Sequence, residues 1–98
     1  MTETQESISE WARETFGPAH FEQLVARLNE EMAELITAAL SEKTSWSDVA
    51  AECADVYIML AQVASYCYRD LGAAVDLKMG TNRARVWATD GKGTGQHV

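Results

Sequence analysis

Two short acidic stretches carry residues that could act together. Glu30, Glu31 and Glu34 lie in the first, Glu52 and Asp55 in the second. In each, two acids stand three residues apart, which on a helix puts both carboxylates on one face, about 5–6 Å apart at Cβ. Both stretches interrupt otherwise apolar helical patterns, and acids are rarely fully buried without a partner. Glu31, Glu34, Glu52 and Asp55 on two packed helices would therefore need a cation between them. The donors are oxygen only, and no histidine follows any of them at the third position. The Glu-x-x-His pairs of di-iron bundles are thus missing, and an oxygen-only set favours Mg²⁺ or Mn²⁺ over iron or zinc. Mg²⁺ is commonly shared between carboxylates and substrate phosphates, which points to a nucleotide. The plain structural alternative is two acidic helix faces in water.

A third segment fits the same chemistry. Lys78, Asn82 and Arg85 recur at spacings of four and three, so they share a face of the last expected helix. Arg clamps phosphate bidentately and Lys acts as a point charge, so this row suits a polyphosphate. A basic face pairing with the acidic body is the alternative. Trp46 stands near the expected mouth of the site and could stack on a base. His20 could hydrogen-bond a base or sugar. Core packing or an interface is the competing role for Trp46, and packing is the plainer role for Trp11 and Phe16.

The elements that must position these residues are helices. Ser7 to Phe16 reads as a short amphipathic helix, ended by Gly17-Pro18. Ala19 to about Ser41 reads as a second, with Phe21, Leu24, Val25, Leu28, Met32, Leu35, Ile36 and Leu40 as its core stripe. Glu31 and Glu34 fall on the edge of that stripe, and Glu22 and Arg27 fall nearer solvent. After a loop at 42–45, capped at Ser45 or Ser47, a third helix is expected from Trp46 or Ser47 to Leu71. It is apolar almost all round between Val56 and Ala64, so it belongs centrally in a bundle or interface. Gly72 reads as its C-cap. A fourth helix is expected from Ala73 to about Val86. Residues 1–88 thus form one all-α, four-helix domain with a short N-terminal helix. Residues 89–98, rich in glycine and polar groups, read as a flexible, extended or disordered tail with no hairpin signal.

Composition narrows the function classes. The 98 residues include 15 acids and 8 bases, a formal charge of −7. Non-specific binding to nucleic acid or to an anionic membrane is not expected of such a chain. The basic residues gather late: after position 77, Asp90 is the only acid among Lys78, Arg83, Arg85 and Lys92. The polar, acidic N-terminus does not read as a signal peptide, and the most apolar run, Val56–Ala64, is too short to span a bilayer. Cys53 and Cys67 lie 14 residues, or roughly 21 Å, apart on one expected helix and cannot bridge. Small buried thiols in a reducing cytoplasm are the expectation.

Taken in order, Glu30-Glu31-x-x-Glu34, Glu52-x-x-Asp55 and Lys78-x-x-x-Asn82-x-x-Arg85-x-Trp87 resemble the MazG-like branch of the all-α nucleoside triphosphate pyrophosphohydrolases. Trp11-x-x-x-Thr15-Phe16-Gly17-Pro18 resembles the opening of short phage or bacterial members. The resemblance spans about residues 11 to 87. It implies a MazG-like four-helix fold assembling as a homodimer or a dimer of dimers, in the cytoplasm. It implies Mg²⁺-dependent cleavage of a (d)NTP to (d)NMP and pyrophosphate. By position, Glu31, Glu34, Glu52 and Asp55 would be metal ligands, with Glu31 and Glu34 also counted among the catalytic acids. Glu30 would orient or activate water, and Lys78, Asn82 and Arg85 would meet phosphates. One domain rather than a tandem pair is expected. Two rivals stand beside this reading: a non-catalytic nucleotide- and metal-binding or regulatory bundle, and a hydrolase of another pyrophosphate such as an alarmone.

Overall fold

The computed structural model describes all 98 residues, and the element order is four helices followed by two short strands. Helix α1 (Gln5–Phe16) begins two residues before the expected Ser7. A reciprocal cap sets the start: Ser7 N–H donates to Thr4 Oγ1 at 3.0 Å and Thr4 N–H donates to Ser7 Oγ at 2.8 Å. Such a box satisfies two backbone amides at the helix start. Gly17, at φ 82°, then turns the chain out of the helix, a left-handed conformation that glycine adopts without steric cost.

Helices α2 (Phe21–Leu40) and α3 (Trp46–Tyr66) form an antiparallel hairpin. Phe21 at the start of α2 meets Tyr66 at the end of α3, ring centroids 5.2 Å apart. Ser45 caps α3 by accepting from Asp48 N–H at 3.1 Å, and Asp48 returns the contact to Ser45 N–H at 3.3 Å. Helix α1 lies across α3, burying Ile8 and Ala12 beside the fully buried Ala61. Polar groups fasten this contact. Gln5 donates to Ser65 Oγ at 3.0 Å and to the Arg69 carbonyl at 2.6 Å, and its own oxygen accepts from Leu71 N–H at 2.6 Å.

Helix α3 does not run to Leu71. It stops at Tyr66, and Tyr68 takes a left-handed φ of 55° in the turn. Asp70 then caps α4 (Leu71–Ala84) by accepting from Ala73 N–H at 2.8 Å, so Gly72 lies inside α4 rather than ending α3. The breaker is a side-chain cap, which competes with helix continuation at this point. Helix α4 packs lightly, on α3, and buries none of its residues.

The C-terminal residues fold back as a hairpin instead of forming an extended or disordered tail. Strand β1 (Trp87–Thr89) pairs antiparallel with β2 (Gly95–His97) in the register Trp87 to His97 and Thr89 to Gly95. Asp90 organises the five-residue connection. Its carboxylate accepts from Lys92 N–H at 2.8 Å, from Thr94 N–H at 3.2 Å and from the Thr94 hydroxyl. Strands of three residues are too short to show alternation, which is why pattern alone missed them.

The fold is open. Five residues are buried, four apolar ones and Glu31. Both cysteines are exposed rather than buried. Cys53, Tyr57 and Leu60 share a side of α3 that neither α1 nor α2 covers. No helix is long and apolar enough to cross a membrane.

Candidate metal-binding site

The α2–α3 hairpin brings the two acidic stretches together. Carboxylate oxygens of Glu31, Glu52 and Asp55 all lie within 4.8 Å of one another. Glu31 is buried, Glu52 half-buried and Asp55 exposed, so the group opens to solvent on one side. The spacing explains the geometry: Glu52 and Asp55 are one turn apart on α3, and Glu31 comes from the facing helix.

Glu31 shows what this costs without a cation. Burial pushes its carboxyl above the ordinary carboxylate range, and the hydrogen bond and negative charge of Glu34 push it further. Asp55 adds to the rise, while the Arg27 guanidinium opposes it. The pairs with Arg27 are close, at 2.7 Å to Glu31 and 2.5 Å to Glu30. Arg27 is exposed, as its place on the helix predicts. Its length lets it lie along α2 and reach both acids at the third and fourth positions.

One polar atom in the group has no partner: Glu52 Oε2 is buried and makes no hydrogen bond. A buried oxygen left unpaired is costly, and here it belongs to a set of hard oxygen donors. The residues therefore fit a divalent cation of the Mg²⁺ or Mn²⁺ type, which takes oxygen ligands and leaves positions for phosphate or water.

The other residues singled out by sequence fall in different places. Glu34 is exposed and stands beside Glu31, outside the tight three-residue group. Glu30 is exposed and held by Arg27. Lys78 and Asn82 lie on α4, but Arg85 is the residue after its last turn, in extended conformation. None of the three pairs with an acid, since both ion pairs in the chain belong to Arg27. Trp46 opens α3 and is 88% exposed. His20 precedes α2, about 30 Å by helical rise from the α2–α3 turn that holds Trp46. One chain does not bring His20 and Trp46 to the same spot.

Beside the acids lies a cleft of about 600 Å³ that Glu34 and Glu52 line. It continues toward the α2–α3 turn past Thr37, Ser41, Thr44 and Asp48. Sequence reasoning passed over these residues. The signal was present: positions 34, 37, 38 and 41 share one face of α2, and 48, 51, 52 and 55 one face of α3.

No family model matches the chain. It is 37% identical, over all 98 residues, to a Salmonella phage PMBT28 protein named dATP/dGTP diphosphohydrolase, and it spans 31% of that protein's length. Its structure is similar to that of the cyanophage S-2L MazG-like pyrophosphohydrolase bound to dGDP and three catalytic Mn²⁺ ions per active site. That similarity has a TM-score of 0.75 at 30% identity and covers 96% of this chain and 92% of the other. With the fold shared over nearly the whole of both chains, this protein belongs to the MazG-like pyrophosphohydrolase family.

Proposed function

We propose that this chain is a divalent-metal-dependent nucleoside triphosphate pyrophosphohydrolase that converts a purine (d)NTP to (d)NMP and pyrophosphate in the cytoplasm. The observation that carries this reading is the Glu31–Glu52–Asp55 group with its orphaned buried oxygen. The names of the two phage relatives support the reaction and the purine deoxynucleotide class. Mg²⁺ is the proposed physiological ion, with Mn²⁺ as a substitute.

In this reading Glu31, Glu52 and Asp55 hold metal, with Glu34 as a fourth ligand. A bound divalent ion lowers the pKa of a coordinated water and polarises the phosphoryl oxygen. Glu34 and Glu30 flank the reacting centre and orient the attacking water. Arg27 keeps Glu30 and Glu31 in place. Lys78, Asn82 and Arg85 receive the charge of departing pyrophosphate. They pair with no acid of their own chain, which leaves them free to complete the site of another copy. Trp46, which in sequence lies between the cleft residues Thr44 and Asp48, stacks on the base.

The surface supports a homodimer or homotetramer. A compact 10.8 kDa monomer exposes about 5,500 Å², whereas this chain exposes 7819 Å². Its Cα radius of gyration is 15.9 Å, against about 13 Å for a compact domain of this length. Ile36, Leu40, Val75 and Leu77 are among the large apolar side chains left in water.

The test is a panel of (d)NTPs with Mg²⁺ or Mn²⁺, with and without chelator, the products separated by chromatography. Monophosphate and pyrophosphate, lost on chelation, are expected. Diphosphate and phosphate would refute the stated bond cleavage, and absence of turnover on every nucleotide would leave a binding bundle.

A further inference from the structure

The C-terminal hairpin is held by α4 more than by itself. A lone pair of short strands is marginal in water, and all six residues of β1 and β2 are exposed. One side chain anchors it: the Trp87 indole N–H donates to the Asn82 carbonyl at 2.7 Å. His97, the register partner of Trp87, meets the indole at 83°, ring centroids 6.0 Å apart. The second strand thus backs the ring that makes the anchor. Val98 N–H donates to the Val86 carbonyl at 2.8 Å, which carries the pairing up to the residue next to Arg85.

The anchor encloses Arg85. Asn82 stands in the last turn of α4, where carbonyls lack helical partners. Its carbonyl oxygen has two lone pairs and accepts twice, from Arg85 N–H at 3.3 Å and from the Trp87 indole. Arg85 therefore lies in a short loop closed at both ends on one oxygen. Its own backbone has left the helix, at φ −84° and ψ 154°, so the helical ladder does not decide where its side chain departs. The indole bond does. The guanidinium pairs with no acid of the chain. The anchor uses the backbone of Asn82 and leaves its side-chain amide out of the bond. A helix end frays when nothing ties it, and ordering it together with a long side chain at the moment of binding costs affinity that prior restraint saves.

We propose that Trp87 is a positioning residue: through its bond to the Asn82 carbonyl it holds the Arg85 backbone so that the guanidinium is ready for the departing pyrophosphate. This assignment rests on the pyrophosphohydrolase reading, which gives Arg85 that role. It makes the hairpin the brace of the basic row on α4.

The experiment is a double-mutant cycle on (d)NTP turnover with Mg²⁺: wild type, Trp87→Phe, Arg85→Ala and the double variant. Phenylalanine keeps a ring beside His97 and removes only the N–H. Trp87→Phe is expected to lower kcat about threefold to tenfold, the worth of one hydrogen bond. KM should stay within about twofold, because the charge that Arg85 meets develops as the pyrophosphate leaves. In the Arg85→Ala background the same change should leave kcat where it was. A merely structural role would give the same loss in both backgrounds; that result, or a wild-type kcat in Trp87→Phe, would overturn the assignment. Gly95→Ala reaches the brace by another route, since a side chain there overlaps the Ala88 carbonyl of the paired strand. It should lower kcat in the wild type and leave Arg85→Ala unaffected, and equal losses in both would again overturn the assignment. If the wild type hydrolyses nothing, the functional reading fails first. The same cycle is then read from the affinity for inorganic pyrophosphate with Mg²⁺, by calorimetry. A loss in Trp87→Phe that vanishes without Arg85 would uphold the brace, and no binding, no loss or equal losses would overturn it.

Discussion

Replacing Glu31 with glutamine should make the metal-free protein more stable and the metal-loaded protein useless. Glu31 is buried, and its carboxylate shares a space of 4.8 Å with those of Glu52 and Asp55. Two unit charges at that distance repel by about 1 kcal/mol in water and about 3–4 kcal/mol at an effective dielectric near 20. Asp55 is exposed, so the lower half of that range applies to its pair. Against this, the Arg27 contact at 2.7 Å loses its ionic part, worth about 0.5–1 kcal/mol for a partly exposed pair. Glutamine keeps an oxygen for Arg27 and supplies a donor to the neighbouring carboxylates. The expected net gain is about 1–2 kcal/mol, or roughly 5–15 °C in Tm for a domain of this size. The assay is thermal unfolding by circular dichroism at neutral pH, in chelator and then across a Mn²⁺ titration. In chelator Glu31→Gln should melt above the wild type. With Mn²⁺ the wild type should rise steeply and the variant little, because only the wild type has the full ligand set. A variant that melts lower in chelator, with an undiminished response to Mn²⁺, would refute the reasoning.

The same carboxyl sets a pH dependence. Its folded pKa is raised, so between the unfolded value and the folded one the native state binds the extra proton. Metal-free stability should therefore fall as pH rises through that window, and chelated urea melts from pH 4 upward would show it. Divalent metal should abolish the decline. Glu52→Ala and Asp55→Ala should each abolish turnover while leaving far-ultraviolet dichroism helical; full activity in both would sink the functional assignment. A side chain at Gly95 would overlap the Ala88 carbonyl in the paired strand, so Gly95→Ala should open the hairpin. The loss should show as a change in Trp87 emission, since its indole N–H donates to the Asn82 carbonyl at 2.7 Å. Sedimentation at micromolar concentration should find a dimer or tetramer, and a monomer with the same melting temperature would remove that assignment.

Much of the fold was legible because α2 repeats its apolar positions at three and four, because α3 is apolar nearly all round, and because Ser45 or Ser47 offers a cap between them. The acids were legible for the same reason, since helical spacing alone puts Glu52 and Asp55 on one face. What escaped depended on side chains acting on nearby backbone or on one another. The Thr4–Ser7 box, the Asp70 cap and the Asp90 turn each moved a boundary that periodicity cannot see. Arg27 faces solvent as the helical wheel predicts, but its ion pairs with Glu30 and Glu31 depend on its reach along the axis. Cys53 looked buried because α3 is apolar nearly all round, and a single sequence does not say which side a neighbour covers. The cleft was missed because threonine, serine and alanine carry little signal until two helices face each other.

The openness of the fold bears on inheritance and dosage. In the oligomer we propose, a chain that leaves so much apolar surface uncovered, and whose Lys78 and Arg85 pair with none of its own acids, would depend on its copies for shelter. Mixed oligomers would then form whenever two versions are made in one cell. A copy with damaged carboxylates but an intact outer surface would enter them as readily as a sound one. It would be kept from degradation by its sound partners and would dilute their activity, so site lesions should behave as dominant. A copy with a damaged outer surface would fail to enter, be cleared as an unfolded chain, and behave as recessive.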